Sequence, residues 1–116
     1  MTRQQFRELC NRNLIFLDGA TGSNLIKRGM PAGVCPEEWI LNNKETLIGL
    51  QREYMEAGSH IVYAPTFTSN RIKLMEYHLE DQIREINIEL VKMSKEAVNG
   101  RGYVAGDITM TGEQLS

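Results

Sequence analysis

Three side chains able to handle a charge or a proton stand where apolar runs end. Asp18 follows Leu14-Ile15-Phe16-Leu17, Thr66 follows His60-Ile61-Val62-Tyr63-Ala64-Pro65, and Asp107 follows Tyr103-Val104-Ala105-Gly106. The first is the most informative. After Asp18 comes Gly19-Ala20-Thr21-Gly22-Ser23-Asn24, whose glycines and small polar residues let backbone amides approach a ligand with no bulk in the way. A carboxylate at the carboxyl end of a strand, beside a Gly-rich turn, lies where open α/β sheets and (β/α)₈ barrels place ligand chemistry. The same residues also suit a plain turn with Asp18 capping the next helix, and the stretch alone leaves both readings open. A third reading is a small α/β module that cradles a phosphate or nucleotide. Against it, the turn lacks the P-loop lysine and the glycine spacing of a dinucleotide fingerprint.

The elements that must position these residues follow from the apolar pattern. Thr2 and Gln5 have the spacing of a capping box, and Phe6, Leu9 and Cys10 follow at helical spacing, which makes Cys10 a small packed hydrophobe. Four consecutive apolar residues at 14–17 suit a strand buried on both faces. A brief helix is predicted over 24–28, with Gly29 as its left-handed cap, followed by a breaker-rich loop over 30–39 that Trp39 anchors to the body. Leu47, Leu50, Tyr54 and Ala57 share one face of a helix over 44–57, which Gly58 closes. A second buried strand is predicted over 60–64, with His60 structural at its start, and Pro65 ends it. A short helix over 70–77 and a longer one over 81–98 follow, the latter with a core stripe of Ile83, Ile86, Leu90, Met93 and Ala97. A third strand occupies 103–107, and 108–116 is a loop. Long helical crossovers between strands imply a parallel sheet with right-handed connections, so Asp18, Thr66 and Asp107 meet at one end of it.

Composition narrows the classes. The 116 residues fit one domain with a modest core, and 13 basic against 15 acidic residues in no block leave no nucleic-acid footprint. No apolar run approaches the roughly 20 residues of a membrane span, and the first residues hold no signal-peptide core, so a cytoplasmic protein is expected. Cys10 and Cys35 are far apart, and His60 and His78 are the only histidines, too few for a zinc site within the chain. Both thiols are expected to be reduced.

Several motifs in order then carry a resemblance. These are Phe16-Leu17-Asp18-Gly19-Ala20-Thr21-Gly22, Arg28-Gly29-Met30, Cys35-Pro36-Glu37-Glu38-Trp39 and Tyr54-Met55-Glu56-Ala57-Gly58. Ile61-Val62-Tyr63-Ala64-Pro65-Thr66-Phe67, Asn70-Arg71, and Val104-Ala105-Gly106-Asp107-Ile108 with Thr111-Gly112 complete the set. Together they resemble the homocysteine S-methyltransferase family, closest to the N-terminal homocysteine-binding domain of its cobalamin-dependent methionine synthase branch. The resemblance implies an α/β fold, the N-terminal portion, about three βα units, of a (β/α)₈ TIM barrel. It implies a zinc ion that keeps the homocysteine sulfur as a thiolate, and transfer of a methyl group to that thiolate to give methionine. In this branch the donor is methylcobalamin, held by other domains and recharged by methyltetrahydrofolate. Carried over residue by residue, Asp18 holds the homocysteine ammonium, Gly19 and Ala20 lie near the amino-acid moiety, and Thr66 and Phe67 wall the site. Asp107 matches a family position with no ligand contact assigned.

The chain departs from the family in one large respect. The family's zinc ligands are one cysteine and then an adjacent pair, well beyond the third strand, and neither Cys10 nor Cys35 matches them. A (β/α)₈ barrel takes roughly 250 residues. Residues 1–116 therefore read as a partial homocysteine-binding domain truncated after the third strand, with the remainder of the barrel as its missing partner. An open three-stranded piece would leave the third strand's outer edge unpaired, and catalysis by this chain alone is not expected. An inactive fragment is a further alternative.

Overall fold

Helical faces and two short parallel strands organise the chain in the computed structural model, which describes residues 1–12 and 14–115. The last residue of the expected terminal loop, Ser116, lies outside them. The helices are α1 (Arg3–Arg12), α2 (Gly22–Lys27), α3 (Pro36–Asn42), α4 (Lys44–Glu56), α5 (Arg71–Met75) and α6 (Ile83–Val98), with a 3₁₀ turn at Glu80–Gln82 before α6. The strands β1 (Ile61–Tyr63) and β2 (Tyr103–Ala105) pair in parallel, with Ile61 opposite Tyr103 and Tyr63 opposite Ala105.

The core lies between α4 and α6. Leu47, Ile48 and Leu50 of α4 meet Ile86, Leu90, Met93 and Ala97 of α6, and Leu25, Ile40 and Leu74 close the cluster. Burial of these side chains supplies the main drive for folding, at about 25 cal/mol per Å² of apolar surface. Trp39 and Tyr54 pack against the cluster while partly exposed. The glycine after α2 is required by geometry. Gly29 takes φ 114°, the Met30 N–H donates to the Leu25 carbonyl at 3.0 Å, and the Gly29 N–H donates to the Ile26 carbonyl at 3.2 Å. This is a Schellman closure, and its usual apolar partners, here Leu25 and Met30, are both buried.

Three expectations are corrected. Residues 14–17 do not form a doubly buried strand: only Leu17 bridges to Ile61, and Leu14 and Phe16 are 79% and 58% exposed. The segment has one sheet neighbour among the described residues, so nothing covers its second side. The loop over 30–39 ends earlier, because α3 begins at Pro36. Proline is favoured in a first helical turn, and Glu37 and Glu38 in that turn complement the helix dipole. Cys10 is exposed, not packed, since α1 buries none of its residues, although its capping box forms: the Thr2 N–H donates to Gln5 Oε1 and the Gln5 N–H to Thr2 Oγ1. Among the described residues β2 pairs only with β1, which leaves its outer edge unpaired.

Candidate functional site

The ends of the parallel segments are tied together by side chains that take over from the backbone ladder. The Asp18 N–H donates to the Ile61 carbonyl at 3.1 Å, and Asp18 Oδ2 in turn accepts the Tyr63 N–H at 3.2 Å. The carboxylate therefore takes the place that Asp18's own carbonyl would hold in a continued parallel ladder. At the other seam the Thr66 hydroxyl donates to the Asp107 carbonyl at 2.9 Å and accepts the Asp107 N–H at 3.0 Å. The Thr109 hydroxyl donates to the Phe67 carbonyl, and Asn70 Nδ2 donates to the Met110 carbonyl at 3.2 Å. These bonds fix the segment after β2 over the loop after β1. His60, at the opposite end of β1, accepts the Phe16 N–H on Nδ1 and stacks on the Phe16 ring.

A cavity of about 230 Å³ opens between these strand ends. Asp18, Gly19, Phe67 and Asp107 line it, together with Thr21 and Gly22 from the turn and the segment from Tyr63 to Pro65. It is smaller than the roughly 300–1,000 Å³ typical of drug-sized ligands, a volume suited to one small polar molecule. Burial is the main force raising the Asp18 carboxyl above the ordinary aspartate range, and the nearby Asp107 charge adds to it. The Tyr63 N–H acts in the opposite direction. Two carboxylates and no lysine, arginine or histidine line the cavity, so its field favours a cation. A larger cavity of about 560 Å³ lies along β2 with Phe6, Val98 and Tyr103 on its walls. That one is mainly apolar and holds no convergent polar set.

Of the five residues singled out from sequence, the structure brings Asp18, Gly19 and Phe67 to the cavity wall. Ala20 stands behind it, its carbonyl accepting from Tyr54 Oη at 2.9 Å and from Asn24 Nδ2 at 2.7 Å. Thr66 also lies behind the wall, its hydroxyl committed to the Asp107 backbone. Tyr63, Pro65 and Thr21 are wall residues that strand and turn patterns do not distinguish from their neighbours. Glu37 was a second omission. It is 1% exposed, and its Oε1 accepts the Thr68 N–H at 3.1 Å and the Thr68 hydroxyl. This carboxylate pins the loop that carries Phe67 onto α3.

The described residues do not fit a zinc ion. Among the described residues no group of three His, Cys, Asp or Glu side chains is placed to hold a metal. Cys35 is 4% exposed, donates its thiol to Glu37 Oε2 at 3.4 Å, and is pushed up to about 11 chiefly by burial, so it stays a neutral thiol at neutral pH. Cys10 sits alone on the surface of α1.

The backbone is similar to the crystal structure of the homocysteine methyltransferase MmuM from Escherichia coli in its metallated form. The TM-score is 0.75 at 20% sequence identity, over 90% of this chain and 41% of that chain. The oxidized form of the same enzyme gives a TM-score of 0.73 at 19% identity, over 90% of this chain and 40% of that chain. The chain thus spans well under half of those structures, and at this identity the likeness concerns the fold. Sequence carries the assignment further, because the description of the homocysteine S-methyltransferase family matches residues 15–116. The chain belongs to the homocysteine S-methyltransferase family.

Proposed function

We propose that this chain forms the part of a methionine synthase-type homocysteine methyltransferase that grips the amino-acid end of homocysteine, as the first portion of a (β/α)₈ barrel. The observation that carries the reading is the small cavity with Asp18 on its wall and no cationic side chain around it. An α-amino acid brings an ammonium group, and an ionised Asp18 in a half-buried place is its natural partner, worth about 1.5–3 kcal/mol for one charged hydrogen bond. Ligand binding and ionisation reinforce each other. The force that raises Asp18 is loss of water, and an ammonium replaces what the water supplied. Phe67 bounds the cavity on its apolar side, where the methylene chain of homocysteine would lie.

The family resemblance implies zinc on the homocysteine sulfur and methylcobalamin as donor. Because the described residues of this chain do not fit the metal, its part in our reading is limited to binding and orienting the substrate. The site's charge also weighs against the phosphate-cradle alternative, since two carboxylates repel an anion. The test is calorimetric titration of the protein with L-homocysteine under reducing conditions and, separately, with ATP and with inorganic phosphate. Saturable heat with homocysteine alone is the expected result. Saturable binding of ATP or phosphate with none of homocysteine overturns the reading.

A further inference from the structure

The turn that carries Asp18 is held to β1 only on the strand side, through the segment leading into it. There the Phe16 carbonyl accepts the His60 N–H at 2.7 Å and the Ile61 N–H at 3.3 Å, and the Asp18 N–H donates to the Ile61 carbonyl at 3.1 Å, but the segment packs poorly, with Leu17 48% exposed. A second anchor, on the glycine side of the turn, comes from α4. That helix is seated in the core by Leu47, Ile48 and Leu50, and one turn beyond them Tyr54 packs against the same cluster. Its hydroxyl donates to the Ala20 carbonyl at 2.9 Å and accepts from Asn24 Nδ2 at 3.2 Å, and Asn24 Nδ2 donates to that carbonyl as well.

Gly19 fits against the same side chain. A Cβ at position 19 would lie 2.9 Å from the Tyr54 hydroxyl oxygen and 3.1 and 3.2 Å from two ring carbons. Making room for it would move the Tyr54 ring and with it the hydroxyl that bonds Ala20. Close approach to Tyr54, and not only to a ligand, therefore favours glycine here.

We propose that Tyr54 is a positioning residue for the substrate site: it clamps the 18–20 turn to the core so that Asp18 is presented to the cavity before substrate arrives. Its effect on homocysteine rests on the function proposed above, whereas its effect on the turn does not. Rigid support of this kind spares a ligand the cost of ordering the site.

The experiment compares wild type, Tyr54→Phe, Gly19→Ala and the double variant in the full polypeptide. Backbone ¹⁵N relaxation at Gly19 and Ala20 is measured without ligand, and L-homocysteine affinity by titration. Order parameters at the two residues are expected to fall in Tyr54→Phe from about 0.85, the rigid range, toward 0.6. Homocysteine Kd should rise roughly threefold to tenfold, the reach of one hydrogen bond. Gly19→Ala already displaces the clamp, so adding Tyr54→Phe to it should weaken binding no further, where independent sites would add. Unchanged order parameters in Tyr54→Phe overturn the clamp, and a loosened turn with unchanged Kd overturns its positioning role. A wild type with a rigid turn, loosened in Tyr54→Phe, but with no homocysteine affinity would sustain the clamp and remove the proposed substrate.

Discussion

Truncating Glu37 to alanine should destabilise the protein by releasing the loop after β1. The carboxylate is 1% exposed and accepts two hydrogen bonds from Thr68, one from its N–H at 3.1 Å and one from its hydroxyl, with the Cys35 thiol 3.4 Å from the other oxygen. Among the described residues no lysine or arginine pairs with it, so these neutral donors, with the α3 dipole, offset the cost of its burial. Charged hydrogen bonds of this kind contribute about 1.5–3 kcal/mol each, and a stranded Thr68 N–H costs about 1–3 kcal/mol. These contributions overlap, so Glu37→Ala should lose about 2–4 kcal/mol. At about 4 °C per kcal/mol for a domain of this size, thermal unfolding should fall by roughly 8–16 °C. Glu37→Gln keeps the shape and one acceptor for Thr68 and should lose only about 1 kcal/mol. Thermal unfolding followed by circular dichroism reads both. A Glu37→Ala protein within about 0.5 kcal/mol of wild type, well below a single lost hydrogen bond, would show that this carboxylate does not hold the loop.

Two further outcomes follow from the two groups whose ionisation burial disturbs. Asp18 keeps its proton to higher pH in the folded protein than in the unfolded chain, so its protonated form favours folding. That contribution is complete below the ordinary aspartate value of about 3.9 and is lost as pH rises through the raised folded value, beyond which a fixed cost remains. Asp18→Asn should therefore be more stable than wild type at pH 7 without ligand and should lack this slope, as denaturant titrations across pH 3–8 will show; a less stable variant would contradict the burial argument. In thiol labelling under native conditions at pH 8, Cys10 should react readily, while Cys35, buried and raised to about 11, should react only after unfolding. Equal rates for the two would contradict the packing around Cys35.

What the sequence made legible was order and facing. The capping box at Thr2 and Gln5, the α4 and α6 core stripes, the parallel strand pairing, and the meeting of Asp18 with Asp107 at the strand ends all follow from local spacing. What escaped it depended on neighbours. Leu14-Ile15-Phe16-Leu17 states a demand for burial on two faces, but an apolar run cannot say whether both are covered, and here one is not. Cys10 lies on an apolar stripe of α1, a helix that buries none of its residues. Pro36-Glu37-Glu38 did carry a helix-start signal, masked by the breakers before it. Tyr54 read as one more core residue, because spacing places a ring on a face and is silent on what its hydroxyl reaches. Thr66 illustrates the reverse: its position at a strand end suggests a wall residue, whereas its hydroxyl joins two backbone segments.

The proposed role of Asp18 is to recognise the ammonium of an amino-acid substrate. It is tested most directly by titrating wild type and Asp18→Asn with L-homocysteine and with 4-mercaptobutanoic acid, which is homocysteine without its amine. Wild type should prefer homocysteine by roughly tenfold to a hundredfold, the worth of one charged hydrogen bond, and Asp18→Asn should lose this preference. A variant that keeps the full preference would place the ammonium elsewhere and contradict the account.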